Sequence, residues 1–217
     1  MQLRNVLLAL LVVGMVALAQ TPVATDGSFQ VRYAANLNMG ESYINITNTG
    51  ANGAPLLGPG FGGSVGNFCV FVYAFSPDEQ LISCCSCLVT PNGLVNLGVV
   101  RDLTSKTLTG VVPTSVVVKL ISTLAGAGGS GASCTSSAAT VTTAAVVGGM
   151  LAWGTTIHNR GLEDPGYAVT ETPFRSATLS AGELASAAGR CASILGNGSG
   201  FGICRSCQAG ALGAGRM

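Results

Sequence analysis

The sequence predicts a mainly β protein, an antiparallel β-sandwich with one short C-terminal helix and disulfide staples. Three observations predict it. Short runs rich in β-branched and aromatic residues follow one another along most of the chain, separated by Gly, Pro and Asn turns. A single strong helix signature comes late, after Ser180. Eight cysteines, an even number, stand at 69, 84, 85, 87, 134, 191, 204 and 207, as in the disulfide framework of an exported chain.

The chain opens with Met1-Gln2-Leu3-Arg4, an apolar stretch from Val6 to Val16, and Ala17-Leu18-Ala19 before Gln20. That is the order of a secretory signal peptide, residues 1–19, cleaved after Ala19. The apolar run is shorter than the ~20 residues of a spanning helix, and no second long one follows, so the mature chain is expected not to insert in a membrane. Residues 20–207 are then one domain, and the Gly- and Ala-rich stretch 208–217 a flexible tail.

Within the domain, Gln30 to Asn36 and Ser42 to Thr47 read as strands. The second alternates, with Tyr43, Asn45 and Thr47 on one face, and Asn48-Thr49-Gly50 turns the chain. Residues 51–67 hold six glycines and two prolines, a long loop between strand sets. Phe68 to Phe75 and Leu81 to Val89 form a hairpin across Ser76-Pro77-Asp78-Glu79-Gln80. Pro91-Asn92-Gly93 leads into a strand from Leu94 to Leu103, and Thr114 to Ser122 is the most strand-like run of all. The Gly-, Ala- and Ser-rich stretch 123–138 reads as a surface loop. Ala139 to Val147, Met150 to His158 and Tyr167 to Phe174 are three further strands. Ser180-Ala181-Gly182-Glu183 is a capping box for a helix over 181–195, with Leu184, Ala188, Cys191 and Leu195 on one face and Gly196-Asn197-Gly198 as its stop.

Eight cysteines allow about 105 pairings. If Phe75 faces Leu81, Cys69 stands opposite Cys87, and a cross-strand disulfide joins them. Either Cys204 or Cys207 would then staple the Gly-rich return to Cys191. Cys84 and Cys85 point to opposite faces of a strand, so they need different partners; with Cys134 and the leftover C-terminal cysteine they would supply the remaining bridges.

Two other readings of the cysteines stay open: Cys84-Cys85-Ser86-Cys87 as soft-metal thiolates, and Cys204-Arg205-Ser206-Cys207 as a redox motif. No His pair stands beside either set, and no βαβ pattern surrounds the C-terminal CxxC.

Charged residues are only 9% of the chain, against ~25% ordinarily. Loss of Arg4 with the signal leaves nine basic residues facing nine acidic ones. No basic patch argues for nucleic acid. A neutral surface repels its own copies poorly, so self-association is a physical expectation.

No catalytic set stands out. His158 is the only histidine, near Arg160, Glu163 and Asp164, and any histidine-assisted nucleophile would have to use it. Glu163-Asp164 and Asp78-Glu79 are acid pairs in predicted turns, without the spacing of a calcium loop. Gly198-Ser199-Gly200-Phe201-Gly202 follows a helix instead of opening one, which argues against a phosphate loop. Asn45-Ile46-Thr47 and Asn197-Gly198-Ser199 fit the N-glycosylation pattern. No cofactor or metal is expected.

Tyr43-Ile44-Asn45-Ile46-Thr47-Asn48-Thr49-Gly50 resembles the strand and NTG turn of bacterial extracellular Ig-like β-sandwich modules. Cys69 to Phe75, Glu79-Gln80, Cys84-Cys85-Ser86-Cys87, Val89 to Leu94 and the Asn197 to Cys204 ending together resemble a family of uncharacterised secreted bacterial proteins. The resemblance covers about half of the mature chain. It implies a compartment and no active-site residues.

The expectation is a secreted, non-enzymatic structural or cell-surface protein, self-associating through strand edges into a filament or surface layer. Residues 20 to 37 are the candidate for a strand donated to a neighbour. The first alternative is an extracellular module for a surface glycan or other ligand, with Trp153, Tyr43 and Tyr73 as candidate platforms, although a core role for Trp153 fits its apolar setting better. The second is a metal or redox protein built on the cysteine cluster.

Overall fold

The computed structural model describes residues 27–56, 64–125, 134, 141, 143–160 and 166–204. The expected signal peptide, the expected tail and Cys207 lie outside them.

Among the described residues, nine strands form two antiparallel sheets: β1 (Phe29–Ala34), β2 (Tyr43–Asn48), β3 (Phe68–Phe75), β4 (Leu81–Val89), β5 (Leu94–Gly98), β6 (Val116–Leu124), β7 (Met150–Asn159), β8 (Tyr167–Pro173) and β9 (Arg175–Ser176). The five-stranded sheet has the order β4-β3-β6-β1-β9, and the four-stranded sheet the order β5-β2-β7-β8. The helix α1 (Ala181–Gly196) follows.

The core has two parts because the five-stranded sheet is covered on both faces. Between the sheets, Ile44 and Ile46 of β2 meet Val70 and Val72 of β3, with Leu97, Val118, Leu120, Met150 and Ala152. On the far side, Phe29, Phe71, Tyr73 and Ile121 pack against Leu179, Leu184, Ala187, Cys191 and Ile194. Three layers result: sheet, sheet, helix. This is why β3 is an unbroken apolar run, buried at seven of its eight positions, whereas β2 alternates.

The capping box is half realised. Ser180 Oγ accepts from the Glu183 backbone N–H at 3.1 Å, the bond expected of an N-cap. The Glu183 carboxylate turns to Lys119 of β6, with Nζ to Oε1 at 2.5 Å, and so ties the helix start to the sheet. Gly198 ends the helix with a left-handed φ of 68°.

Four expectations are corrected here. The strand from Leu94 stops at Gly98, and Val99–Thr104 is a π-helical turn. Both carboxylate oxygens of Glu41 accept backbone N–H groups there, from Val100 at 2.7 Å and Arg101 at 2.9 Å, while Asp102 accepts from Gly98 N at 2.7 Å. These acceptors satisfy donors that a strand ladder would otherwise need.

Second, of the stretch Ala139 to Val147, the described part is a 3₁₀ turn, Thr143–Ala145, with one bridge from Val146 to Thr123. Third, Phe75 does face Leu81, but a bulge follows and Ala74 faces Ser83. The extra residue shifts the register by one, so Cys69 faces Leu88 and Cys87 faces Val70. No Cys69 to Cys87 disulfide forms. Fourth, the donor candidate 20 to 37 contains β1, which is paired in its own sheet between β6 and β9.

Among the described residues the disulfides include Cys69–Cys134, Cys84–Cys191 and Cys85–Cys204, with Cα separations of 5.6, 5.9 and 5.4 Å. Cys87 is disulfide-bonded as well. Cys191 therefore takes Cys84 and not a cysteine of the Gly-rich return, because the helix lies across β4. Cys84 and Cys85 do have different partners on opposite faces of β4, one in the helix-side core and one between the sheets.

Candidate binding surface

Among the described residues, two surfaces of the four-stranded sheet have no covering layer: its outer face and the edge of β8. On the outer face, side chains pointing away from the core form cross-strand rows. Asn96, Asn45, Trp153 and Pro173 make one row, and Tyr43, Thr155 and Glu171 belong to the next. Asn96 Nδ2 donates to Asn45 Oδ1 at 2.8 Å, and Asn45 Nδ2 donates to Glu171 Oε1 at 3.1 Å. The amides thus form a polar relay ending in a carboxylate. Tyr43, Leu94 and Leu151 around it are exposed, and Trp153 is half-buried.

Every residue of β8 is exposed, and among the described residues the strand has a hydrogen-bonded neighbour on one side only. The direction of its backbone groups follows from two bonds: Arg160 N donates to Gly166 O, and Phe174 N donates to Ala152 O. These mark the hydrogen-bonded pairs with β7, which recur at every second residue. Ala168, Thr170 and Thr172 therefore turn their backbone groups to β7. Tyr167, Val169 and Glu171 turn theirs outward. Pro173 also points outward, where its missing N–H removes nothing from the ladder.

Among the described residues the other sheet edges are bridged at one point, in β4, or short, in β5 and β9. The segment 202–204 lies along β4, with Cys84 N donating to Gly202 O at 2.9 Å. On the far edge of that sheet β9 has two residues. In β5, Val95, Leu97 and Gly98 are buried.

Behind β7 and β8 lies a buried cation. Arg32 of β1 enters the gap between the sheets, donating to Thr156 Oγ1 at 2.6 Å and Thr172 O at 3.3 Å. It does so over Gly154, where any Cβ would sit 1.7 Å from Nη1. Burial lowers the Arg32 pKa, and the charge of Glu171 partly restores it. Nothing in the local sequence signals this arrangement, since a strand arginine ordinarily reads as a solvated residue.

The residues singled out from sequence are scattered. His158 is exposed near the end of β7, opposite Ala168; Glu163 and Asp164 lie outside the described residues. Asp78 accepts from Ser76 Oγ within the β3–β4 turn, and Arg190 of the helix donates to Glu79 O at 2.7 Å. Beside that turn a depression of about 330 Å³ is lined by Pro77, Ile82, Val111 and Pro113, with Asp78 at its rim.

Among the described residues no group of three or more His, Cys, Asp or Glu could hold a metal. Cys84, Cys85 and Cys87 are in disulfides and supply no thiolate. Cys204 pairs with Cys85, outside its own CxxC. Of the candidate platforms, Tyr73 is fully buried, and burial raises its pKa. It cannot meet a ligand. Trp153 is the opposite correction: it belongs to the outer face and not to the core, because Met150, Ala152 and Gly154 take the inward positions of β7.

Among the described residues no helix is long and apolar enough to cross a membrane. No family model, curated protein or solved structure matches the chain.

Proposed function

We propose that the chain is an exported, non-enzymatic structural subunit that associates with its own copies in an extracellular or cell-surface layer or filament. The observation that carries this reading is β8, an edge strand with every residue exposed in a protein with only 9% charged residues. Such an edge is a template for another strand, and low net charge leaves little repulsion between copies. The disulfides fit an oxidising compartment, in keeping with the signal-like N-terminus.

Sedimentation velocity of the exported protein over a wide concentration range, with negative-stain microscopy of the concentrated sample, tests this. Concentration-dependent assemblies are expected. A monomer at every concentration contradicts the proposal.

A second reading has one observation in its favour, the Asn96–Asn45–Glu171 relay beside Tyr43 and Trp153. Amides, a carboxylate and aromatic rings on an open face are the groups that bind sugar hydroxyls and their apolar faces. Binding on a glycan array that falls with Trp153→Ala supports it; an array without hits removes it.

A further inference from the structure

We infer that two copies join edge to edge through antiparallel pairing of β8 with β8, on a two-fold axis at Val169. The inference rests on the self-association proposed above and adds its surface and register. Outward backbone groups come from Tyr167, Val169 and Glu171, as the two flanking hydrogen bonds establish. A two-fold at Val169 faces Val169 with itself and Tyr167 with Glu171. Each facing pair then exchanges two backbone hydrogen bonds, as hydrogen-bonded antiparallel pairs do.

The side chains fit that register. Val169 and Tyr167 are 67% and 61% exposed, and both lie on the outer face with Glu171. Across the axis, a β-branched residue meets its own copy and a phenol O–H meets a carboxylate, both favourable cross-strand pairs. Glu171 is the only charge on the strand, and this register keeps the two carboxylates apart.

Other centres are worse. Prolines stand at 165 and 173, four residues to either side of Val169. A centre at Tyr167 or Glu171 would face Val169 with one of them, and a centre at Ala168 or Thr170 would face Glu171 or Tyr167 with one, each losing a donor. A centre at Glu171 would also set like charges opposite each other. The closed interface is isologous, and so gives a dimer from this edge. Growth beyond the dimer would need another surface.

The test uses the full exported chain with Val169→Lys and Val169→Glu, each alone and mixed in equal amounts. Val169 is exposed, so both variants are expected to keep the far-ultraviolet circular dichroism and thermal midpoint of the parent. Each alone is expected to weaken dimerisation about ten-fold or more, because like charges face across the axis. The equal mixture is expected to regain it as a heterodimer.

If the parent does not associate, the proposed function fails with this inference. If the parent associates and both variants match it, or if the mixture stays as weak as its parts, the Val169 axis is wrong and the function stands.

Discussion

Arg32 and Gly154 are two halves of one arrangement, and only their combination keeps a guanidinium between the sheets. Gly154→Ala is expected to destabilise the fold by about 2 kcal/mol, the scale of an overpacked interior. In an Arg32→Ala background the same change should cost much less, since the clash is with Nη1. Denaturant titration of the two single variants and the double variant measures that coupling; equal costs in both backgrounds would show that the glycine serves something else.

Asn48 is a second buried polar group that the sequence disguises. Its Nδ2 donates to Gly66 O at 2.8 Å and Val89 O at 2.9 Å, and its Oδ1 accepts from Gly50 N. The Asn-Thr-Gly turn was legible, but the reach of its first residue to β4 was not.

Tyr73 sets a pH dependence. Its pKa is raised above the ordinary 10.0 by burial, so the folded state holds its proton after the unfolded state has lost it. Stability is then constant with respect to this group below about pH 10 and falls above it, by up to ~1.4 kcal/mol per pH unit. Unfolding free energies measured from pH 8 to 11 should show that alkaline decline, and Tyr73→Phe should flatten it.

The elements with local signals were the legible ones. The β3–β4 hairpin, the alternating β2 and the Ser180 cap stand where their residues predict them. The cap bond is expected to contribute about 1 kcal/mol, so Ser180→Ala should lower the thermal midpoint by a few degrees in calorimetry. An unchanged midpoint would mean that Cys84–Cys191 and the Lys119–Glu183 pair hold the helix without it.

Elements shaped by remote contacts were not legible. Val99 and Val100 are strand-like in themselves, yet Glu41 of a different segment bends them into a π-helical turn. The hairpin register moved by one residue at a bulge, and with it went the Cys69 to Cys87 pairing. Alternation along β4 survives the slip, which is why the opposite orientation of Cys84 and Cys85 could be read while their partners could not.

On the scale of the whole molecule, three bridges with sequence separations of 65, 107 and 119 residues tie β3 and β4 to the helix and to two loop segments. Links that long restrict the unfolded chain by several kcal/mol together, about 2–4 each in the loop-entropy view. A mass-spectrometric map of the purified native protein should return those three pairs. It should also show an N-terminus at Gln20; free thiols at Cys84 or Cys85 would contradict the staples.

Fold class was legible because strand periodicity and turn residues recur along the chain. Which strand ends as the open edge depends on sheet order, which no local pattern encodes. Hydrogen exchange at the amides of residues 167–172, followed by mass spectrometry at low and high protein concentration, tests that open edge most directly. The amides of Tyr167, Val169 and Glu171 are expected to exchange rapidly in dilute protein and to become protected as the protein associates. Rapid exchange that persists in the assembled state would contradict the assignment of β8 as the joining edge.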